Sequence, residues 1–250
     1  MKTALNILEA IGSSLILLFQ ALGQIFSLPR QLGRTIDYCF HIGYLTFPIV
    51  AILSFFLGAV LALQTGYSLE FAGGQELIGR IVGLAMAREL APLITAFLLA
   101  GRVGSAITAE IASMTVYQEV DAMRTMQTPP ERVLVMPRLV AIFIMMPSLA
   151  MVAIIIGWFG GAVVAQHVEF IGLDPTSYWS NLKSVVQFKD VLNGLLKAQI
   201  FGMVIVLVAC NQGLITRGGP REIGFSVTKS VVSSMFMVLL LDYCLTRILM

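Results

Sequence analysis

A few ionisable residues stand inside the long apolar stretches of this chain, and their types suggest what they could bind. Arg88 and Glu89 are adjacent in one apolar stretch, and Lys197 lies in another. Each such charge costs about 2.5–3.5 kcal/mol to insert at the centre of a membrane, so it usually faces a cavity or a partner. The arginine fork matches phosphate oxygens, whereas Arg88, Glu89 and Asp242 together could relay an ion or a proton. A further interpretation is a purely structural pair buried between helices.

The composition indicates a membrane protein. Of the 250 residues, 58% are hydrophobic and only 12% are charged, and the mean hydropathy is +0.89. These values are typical of a chain that crosses a bilayer several times. The length accommodates roughly five or six spans of about 20 residues, which leaves no sizeable domain outside the membrane. Any energy-coupling domain is therefore expected in another chain.

The hydrophobic pattern predicts an all-α integral membrane protein with five transmembrane helices, forming a single transmembrane domain over residues 1–250. Residues 1–28 carry polar side chains on one helical face and apolar ones on the other, which predicts an interfacial amphipathic helix. Asp174-Pro175 opens a short helix in the loop over residues 170–190. The spans are predicted at residues 45–66, 77–105, 139–167, 192–214 and 227–248.

Small residues at helical spacing predict where these helices pack closely. Gly79, Gly83 and Ala87 recur every four residues in the second span, and Gly157 and Gly161 are four apart in the third. Ridges without large side chains let a neighbouring backbone approach. The second span is therefore expected to be buried within the bundle, where neighbouring helices can supply partners for its charges.

The distribution of Lys and Arg sets the expected orientation. With the N-terminus in the cytoplasm, nine of the sixteen basic residues lie in cytoplasmic segments or at the cytoplasmic end of a span. Three lie on the opposite side or at that end of a span, and the other four lie deeper within spans. The positive-inside rule therefore favours a cytoplasmic N-terminus and a C-terminus on the opposite side. This orientation places the charged loop over residues 115–132, between the second and third spans, in the cytoplasm.

A solvated turn is the simplest interpretation of that charged loop, but its pattern favours a rigid helix that contacts a partner. Glu119, Asp121 and Arg124 lie on a short amphipathic stretch, and Asp121 and Arg124 are three apart and can pair. Met123 and Met126 add adaptable apolar surface of the kind that docks into a partner groove. The loop is therefore predicted to contain a cytoplasmic coupling helix.

Prolines are expected to bound this helix. Thr128-Pro129-Pro130 is predicted to stop it, because proline cannot continue a helix beyond its first turn. Pro137-Arg138 is predicted to start the next span. The coupling helix would then be held rigidly between two spans.

Several motifs follow one another in a fixed order along the chain. They are R-E-L-A-P-L, G-R-V-G-S-A-I-T-A-E, L-V-M-P-R, K-A-Q-I-F-G, A-C-N-Q-G and S-V-T-K-S-V-V-S-S. In these motifs the chain resembles the MlaE permease family, the membrane subunits of MCE-type lipid ABC transporters. It departs from the family pattern in two places. A-E-I-A-S-M stands where A-E-L-G-T-M is usual, and Q-T-P-P lacks the glycine-containing turn that commonly precedes the proline.

The resemblance implies a homodimeric ABC transporter permease in a Gram-negative inner membrane. It implies two ABC ATPase subunits that bind ATP and Mg on the cytoplasmic side, a hexameric MCE-domain protein on the periplasmic side, and often a small STAS-domain protein. It implies phospholipid transport between the inner membrane and the outer membrane or periplasm, which maintains outer-membrane lipid asymmetry. The chain itself is then not an enzyme and needs no cofactor.

The resemblance implies a role for the charged loop, and the charges within the second and fourth spans are a second group of candidates, on the chemistry given above. The ATPase-coupling candidates are Glu119, Asp121, Met123, Arg124, Met126 and Arg132. The lipid-cavity candidates are Arg88, Glu89 and Lys197. Arg88, aided by Lys197, would attract the lipid phosphate, while apolar walls would hold the acyl chains.

Other functions are weaker matches to the residues. A self-sufficient secondary transporter or channel would use Arg88, Glu89 and Asp242 as an ion relay, but five spans cannot be halved into inverted repeats. A scaffold for enzyme assembly would need no charge within the membrane. Residues 224–230 read G-F-S-V-T-K-S and lack the second glycine of a phosphate-binding loop, so ATP is not expected to bind here. Three distant cysteines and no H-E-x-x-H motif give no indication of a metal site.

Overall fold

The protein is described by a computed structural model that covers residues 12–13, 16–21, 23, 31–70, 74–168 and 171–249. These residues form helices and connecting turns, with no strand among them. The predicted all-α class is therefore confirmed. The predicted interfacial helix over residues 1–28 falls largely outside the described residues, and the few described positions in that range are helical.

Seven helices make up most of the described chain. In chain order they are α1 (Leu32–Leu69), α2 (Gln75–Val116), α3 (Glu119–Thr125), α4 (Glu131–His167), α5 (Pro175–Val185), α6 (Phe188–Leu214) and α7 (Pro220–Leu249). The five long ones, α1, α2, α4, α6 and α7, are 27 to 42 residues in length and apolar enough to cross a membrane. Since a span requires only about 20 residues, the prediction of five membrane-spanning helices is confirmed.

The helices contribute to two compact units. The first comprises the described residues within Met1–Ile42, Ala96–Met145 and Ile200–Cys244, and the second those within Gly43–Thr95, Met146–Gln199 and Leu245–Met250. Each long helix contributes a segment to both units, whereas α3 belongs to the first unit and α5 to the second.

Glycines bring helix backbones together in the second unit. A Cβ atom on Gly58 of α1 would overlap the carbonyl oxygen of Gly157 of α4. A Cβ atom on Gly160 of α4 would overlap the carbonyl oxygen of Phe55 of α1. Gly161, one turn after Gly157, is crowded instead by the side chains of Tyr178 and Val82. At Gly58 and Gly160 no other residue fits without a backbone shift, so the backbones of α1 and α4 are in direct contact there.

The small residues of α2 also lie at close contacts. A Cβ atom on Gly79 would stand 2.5 Å from the carbonyl oxygen of Tyr178 in α5, and one on Gly83 would stand 2.9 Å from an α5 side chain. At the third ridge position, a Cβ atom on Gly194 of α6 would overlap the carbonyl oxygen of Ala87. The ridge therefore contacts two helices, α5 over its first half and α6 at Ala87.

Tyr178 fastens α5 to the rest of the second unit. Its side chain is fully buried, and its hydroxyl donates a hydrogen bond to the carbonyl oxygen of Trp158 at 3.2 Å. Trp158 Nε1 in turn donates to the carbonyl oxygen of Gly83 at 3.1 Å. Burial raises the pKa of the Tyr178 hydroxyl well above its ordinary value, because the phenolate would lose its hydration. The hydroxyl therefore remains a hydrogen-bond donor, and α5 stays held against α2 and α4.

Hydroxyl groups link the helices of the first unit. Thr108 of α2 donates to the hydroxyl of Ser230 of α7 at 2.8 Å, and Thr115 of α2 donates to the carbonyl oxygen of Gly213 of α6 at 3.1 Å. Hydrogen bonds of this kind between membrane helices contribute on the order of 0.6 kcal/mol each. They join α7 and α6 to α2 within the first unit.

The start of α4 differs from the prediction. Pro137-Arg138 does not start the helix, which already begins at Glu131 and contains Pro137. The residues Glu131–Val135 form a π turn just before that proline. Proline cannot donate to the carbonyl group four residues earlier, and a local π adjustment accommodates the missing bond. Pro130, with φ of −57°, precedes the first turn and is suited to starting the helix.

We expect Gly58→Ala to destabilise the protein, because the new methyl group would force the backbones of α1 and α4 apart. Overpacking of this kind costs about 1–3 kcal/mol. The control is Gly224→Ala in α7, since a Cβ atom there meets nothing within 4 Å and alanine favours a helix over glycine by about 0.5–1 kcal/mol. Thermal unfolding of the detergent-purified variants would test this. An unfolding midpoint of Gly58→Ala at or above that of Gly224→Ala would contradict the close packing.

Candidate functional site

A polar cavity of about 300 Å³ lies within the second unit. It is formed by α2, the segment that leads into α6, α6 itself and the last turns of α7. Its lining residues are Arg88, Glu89, Gln187, Lys189, Asp190, Asn193, Lys197, Thr246 and Leu249. The structure thus brings together the three residues that the sequence proposes for a lipid cavity. Leu249 is the one aliphatic side chain among this lining, so the predicted apolar walls are not a property of this cavity.

A π turn in α2 presents the two adjacent charges to this cavity. Met86–Leu90 form the wide turn, and it contains both Arg88 and Glu89. It ends two residues before Pro92, just as the π turn of α4 ends two residues before Pro137. The missing N–H group of Pro92 accounts for the widened turn, and π turns of this kind recur at functional sites.

Arg88 forms a two-point ion pair with Asp190 at the start of α6. Arg88 Nε donates to Asp190 Oδ1 at 2.9 Å, and Arg88 Nη2 lies 2.8 Å from the same oxygen. The second carboxylate oxygen of Asp190 accepts the backbone N–H group of Gln187 at 2.8 Å. The carboxylate is therefore fixed by the first turn of its own helix and holds the guanidinium in place.

Glu89 pairs with Lys197 of α6. Lys197 Nζ lies 2.7 Å from Glu89 Oε1 and 2.6 Å from the hydroxyl oxygen of Thr246 in α7. The Thr246 hydroxyl donates to the same Glu89 oxygen at 3.1 Å. The three side chains form a closed network that joins α2, α6 and α7, in which the ammonium group is compensated by a carboxylate.

The two ion pairs differ in their exposure. The Lys197 side chain is 3% exposed, whereas the Arg88 side chain is 37% exposed. A guanidinium with that much free surface is accessible to another anion, whereas the Lys197 ammonium is enclosed. Arg88 is therefore the group in this cavity best placed to bind an incoming anion.

Gly194 sets the distance between the two helices that carry these pairs. It lies four residues after Asp190 and three before Lys197, so all three share one face of α6. A Cβ atom on Gly194 would overlap the carbonyl oxygen of Ala87, the residue that precedes Arg88. The glycine thus allows α6 to approach α2 closely enough for both ion pairs to form.

Comparison with known proteins identifies the family. The family model described as Permease MlaE matches residues 35–248 of the chain. This chain belongs to the MlaE permease family. The resemblance predicted from its motifs is confirmed, and with five apolar helices the chain is a multi-pass membrane protein.

Relatives along nearly the whole length agree with this membership. A probable ABC transporter permease protein of Rickettsia felis is 35% identical over 99% of this chain and 95% of its own length. One of Synechocystis is 33% identical over 93% of this chain and 89% of its own length. The intermembrane phospholipid transport system permease protein MlaE of Haemophilus influenzae is 32% identical over 99% of this chain and 95% of its own length.

In this MlaE-family chain the charged loop contains the short helix α3. Asp121 and Arg124 pair at 3.3 Å, as their spacing predicts. Gln118 and Gln127, which flank the helix, both have left-handed backbone conformations with φ of 62° and 57°. Residues other than glycine adopt this conformation at a cost, so both ends of α3 are defined turns.

The ATPase-coupling candidates fall into two places. Glu119, Asp121, Arg124 and Met126 are exposed on or beside α3, and Met123 is half-buried there. Arg132 is half-buried in the first turns of α4 and lines a different cavity together with Arg34. Arg132 is therefore not part of the exposed surface of α3.

Sequence reasoning missed three residues that define these sites. Asp190 and Thr246 complete the ion-pair network of the cavity, and the seven-residue spacing of Asp190 and Lys197 could have placed both on one helical face. Arg138, in the first unit, is fully buried, pairs with Glu110 at 2.7 Å and lies over the ring of Tyr38 at 4.6 Å. In the sequence it looks like an ordinary cytoplasmic arginine.

We expect Glu89→Gln to lower stability strongly, because it leaves the enclosed Lys197 ammonium without its carboxylate. Breaking a buried ion pair costs about 3–5 kcal/mol, reduced here because the Glu89 side chain is 30% exposed. The double variant Glu89→Gln/Lys197→Met removes the stranded charge and should recover part of the loss.

Thermal unfolding of the purified protein in detergent measures this order of stabilities. Glu222→Gln, at an exposed acid in the first turn of α7, is the matched control and should unfold at the native midpoint. A double variant less stable than Glu89→Gln alone would show that Lys197 does not depend on Glu89.

Proposed function

We propose that this chain is the membrane subunit of an ATP-driven ABC transporter that moves glycerophospholipids between the inner membrane and the outer membrane or periplasm. Through this transport the system would maintain the lipid asymmetry of the outer membrane. The proposal rests on one observation above the others. A member of the MlaE permease family, as this chain is, carries an ion-paired and partly exposed Arg88 in a polar cavity.

In this proposal Arg88 receives the phosphate of the lipid headgroup. Asp190 holds the guanidinium in position while the cavity is empty of lipid, and the phosphate replaces that carboxylate in a second two-point contact. Lys197 adds positive potential but keeps its bond to Glu89. A volume of about 300 Å³ is at the small end of ligand pockets, so the cavity suits a headgroup, and the acyl chains would lie along apolar helix surfaces.

The proposed assembly is a homodimer of this chain in a Gram-negative inner membrane, with the N-terminus in the cytoplasm and the C-terminus in the periplasm. Its partners would be two ABC ATPase subunits that bind ATP and Mg, a hexameric MCE-domain protein and, in some systems, a STAS-domain protein. The exposure of α7 supports a second copy, because α7 has the smallest buried share of the five long helices. Large apolar side chains, such as Phe236 and Leu240, are exposed along it.

The exposed surface of α3 would serve as the contact for the ATPase. It offers acidic side chains at Glu119 and Asp121 and an apolar anchor at Met126. Because α3 follows α2 after only two residues, a displacement of α3 would act on the helix that carries Arg88. No cofactor of the chain itself is needed for this coupling.

We expect Arg88→Ala to lower both the amount of co-purified phospholipid and the rate of lipid transport, because the phosphate loses its two-point donor. Hydrogen bonds between charged groups contribute about 1.5–3 kcal/mol, so a tenfold loss or more is expected. Lys197→Ala should act in the same direction. Arg80→Ala, at an exposed arginine on α2 that does not line the cavity, is the matched control.

Mass spectrometry of bound lipid and transport by the reconstituted complex measure these effects. Arg88→Lys keeps the charge without the fork and should fall between Arg88→Ala and the native protein. If normally assembled Arg88→Ala and Lys197→Ala variants kept full lipid transport and unchanged lipid occupancy, the proposed role of the cavity would be wrong.

We expect Glu119→Lys and Asp121→Lys to abolish co-purification of the ATPase, because charge reversal opposes the proposed contact. Glu222→Lys changes charge by the same amount at an exposed site outside α3 and should leave the ATPase bound. Pull-down of the co-expressed complex measures both. Transport by the chain alone in liposomes, without ATP or an ATPase, would instead favour a self-sufficient secondary transporter.

A further inference from the structure

A second cavity, of about 490 Å³, lies within the first unit and is distinct from the one that contains Arg88. It is lined by Gln31, Gly33, Arg34, Thr128, Arg132 and Val133. Both ionisable residues in this lining are arginines. In the described part of the chain, neither forms an ion pair within 4 Å. Two guanidinium groups that face one cavity without carboxylate partners create a positive potential that favours an anion.

The positions of these arginines in their helices place the cavity at the edge of the membrane. Arg34 is the third residue of α1, and Arg132 is the second residue of α4. Since α1 and α4 are the first and third of the five spans, both begin at the same side of the membrane. Both arginines lie ahead of the predicted spans at residues 45–66 and 139–167, on the side of the membrane where those spans meet the lipid headgroups and their phosphate groups.

The other lining groups suit a headgroup rather than a bare ion. The Oε1 atom of Gln31 is buried and has no hydrogen-bond partner, which is unfavourable unless a ligand supplies a donor. A hydroxyl or ammonium group beside a phosphodiester would supply it. Gly33 and Val133 add no charge to the wall of the cavity. Leu32 and Ile36 are exposed apolar residues beside Arg34 on α1. The glycerol and acyl parts of a lipid could lie against them.

We propose that this cavity binds the phosphodiester headgroup of a membrane lipid through Arg34 and Arg132, in the leaflet at this end of α1 and α4. The proposal goes beyond the transport function and does not depend on it, except that the proposed topology makes this the cytoplasmic leaflet. It gives Arg132 a lipid contact in place of an ATPase contact. A lipid bound here connects α1 with the segment that follows α3, and so restrains the connection between α3 and α4.

Photocrosslinking of the full-length purified permease tests the proposal. The probe is a phosphatidylglycerol analogue with a photoreactive group near its headgroup, added over a range of concentrations in nanodiscs of phosphatidylcholine. Crosslinked peptides are located by mass spectrometry. We expect saturable labelling in the segments around residues 31–36 and 128–133. We expect the double variant Arg34→Gln/Arg132→Gln to need at least tenfold more probe for half-maximal labelling.

Matched variants make the result specific. Arg217→Gln/Arg221→Gln removes two exposed arginines outside this cavity and should label like the native protein. Arg88→Ala should also leave this labelling unchanged, which separates the proposal from the proposed function of the other cavity. Arg34→Lys/Arg132→Lys keeps the charge and should give intermediate labelling. If the double glutamine variant does not fold, the single variant Arg34→Gln replaces it and should weaken labelling at least threefold.

Three results would overturn the proposal. Native-like labelling of the glutamine variants at these segments would show that the arginines do not hold the headgroup. Full competition by millimolar inorganic phosphate would show a site for free phosphate rather than for lipid. Loss of ATPase co-purification in the double variant, with labelling unchanged, would show that the arginines contact a protein.

Discussion

Charges enclosed by membrane helices must be compensated, and the architecture of the second unit follows from that requirement. Placing an isolated ammonium or guanidinium group in an apolar helix bundle costs several kcal/mol. The penalty for a charge at membrane depth is of similar size. The unit meets this requirement with two ion pairs of opposite polarity, Arg88 with Asp190 and Glu89 with Lys197. Arg88 and Glu89 are adjacent on α2, and Asp190 and Lys197 both lie on α6. Both ion pairs therefore form only when α2 and α6 are close together and correctly rotated about their axes.

The close approach has its own sequence requirements. Gly194 lets the backbone of α6 approach the carbonyl oxygen of Ala87, and the π turn over Met86–Leu90 sets the directions of the two charges that follow it. Tyr178 ties α5 to α4, and Trp158 ties α4 to α2, each by a hydrogen bond to a backbone carbonyl group. The polar cavity is thus a product of glycine contacts, a proline-associated π turn and buried hydrogen bonds. A change in any of them would misplace the charges without touching them.

Hydrophobicity made the fold predictable, but the local details depended on residues that hydrophobicity does not report. Apolar stretches and their interruptions predicted the all-α class and five spans, and dispersed motifs predicted the family. The start of α4 was predicted wrongly because Pro137 resembles a helix start, whereas its π turn lets the helix continue through it. Of the cavity, Arg88, Glu89 and Lys197 stood out as charges in apolar stretches. Asp190 and Thr246 did not, because they lie near span ends where polar residues are ordinary.

The difference between Arg88 and Arg138 illustrates how the same residue type can be either accessible or enclosed. Arg138 is completely buried, and its guanidinium is held between the Glu110 carboxylate and the Tyr38 ring. No incoming anion can reach it without displacing the packing of the first unit. Arg88 has one carboxylate partner and a side chain that is 37% exposed to its cavity. If a phosphate took the place of Asp190, the Arg88 guanidinium would still have an anionic partner. The cost of an unpaired charge within the membrane, which favours the ion pair, would therefore not oppose the exchange of the carboxylate for a phosphate.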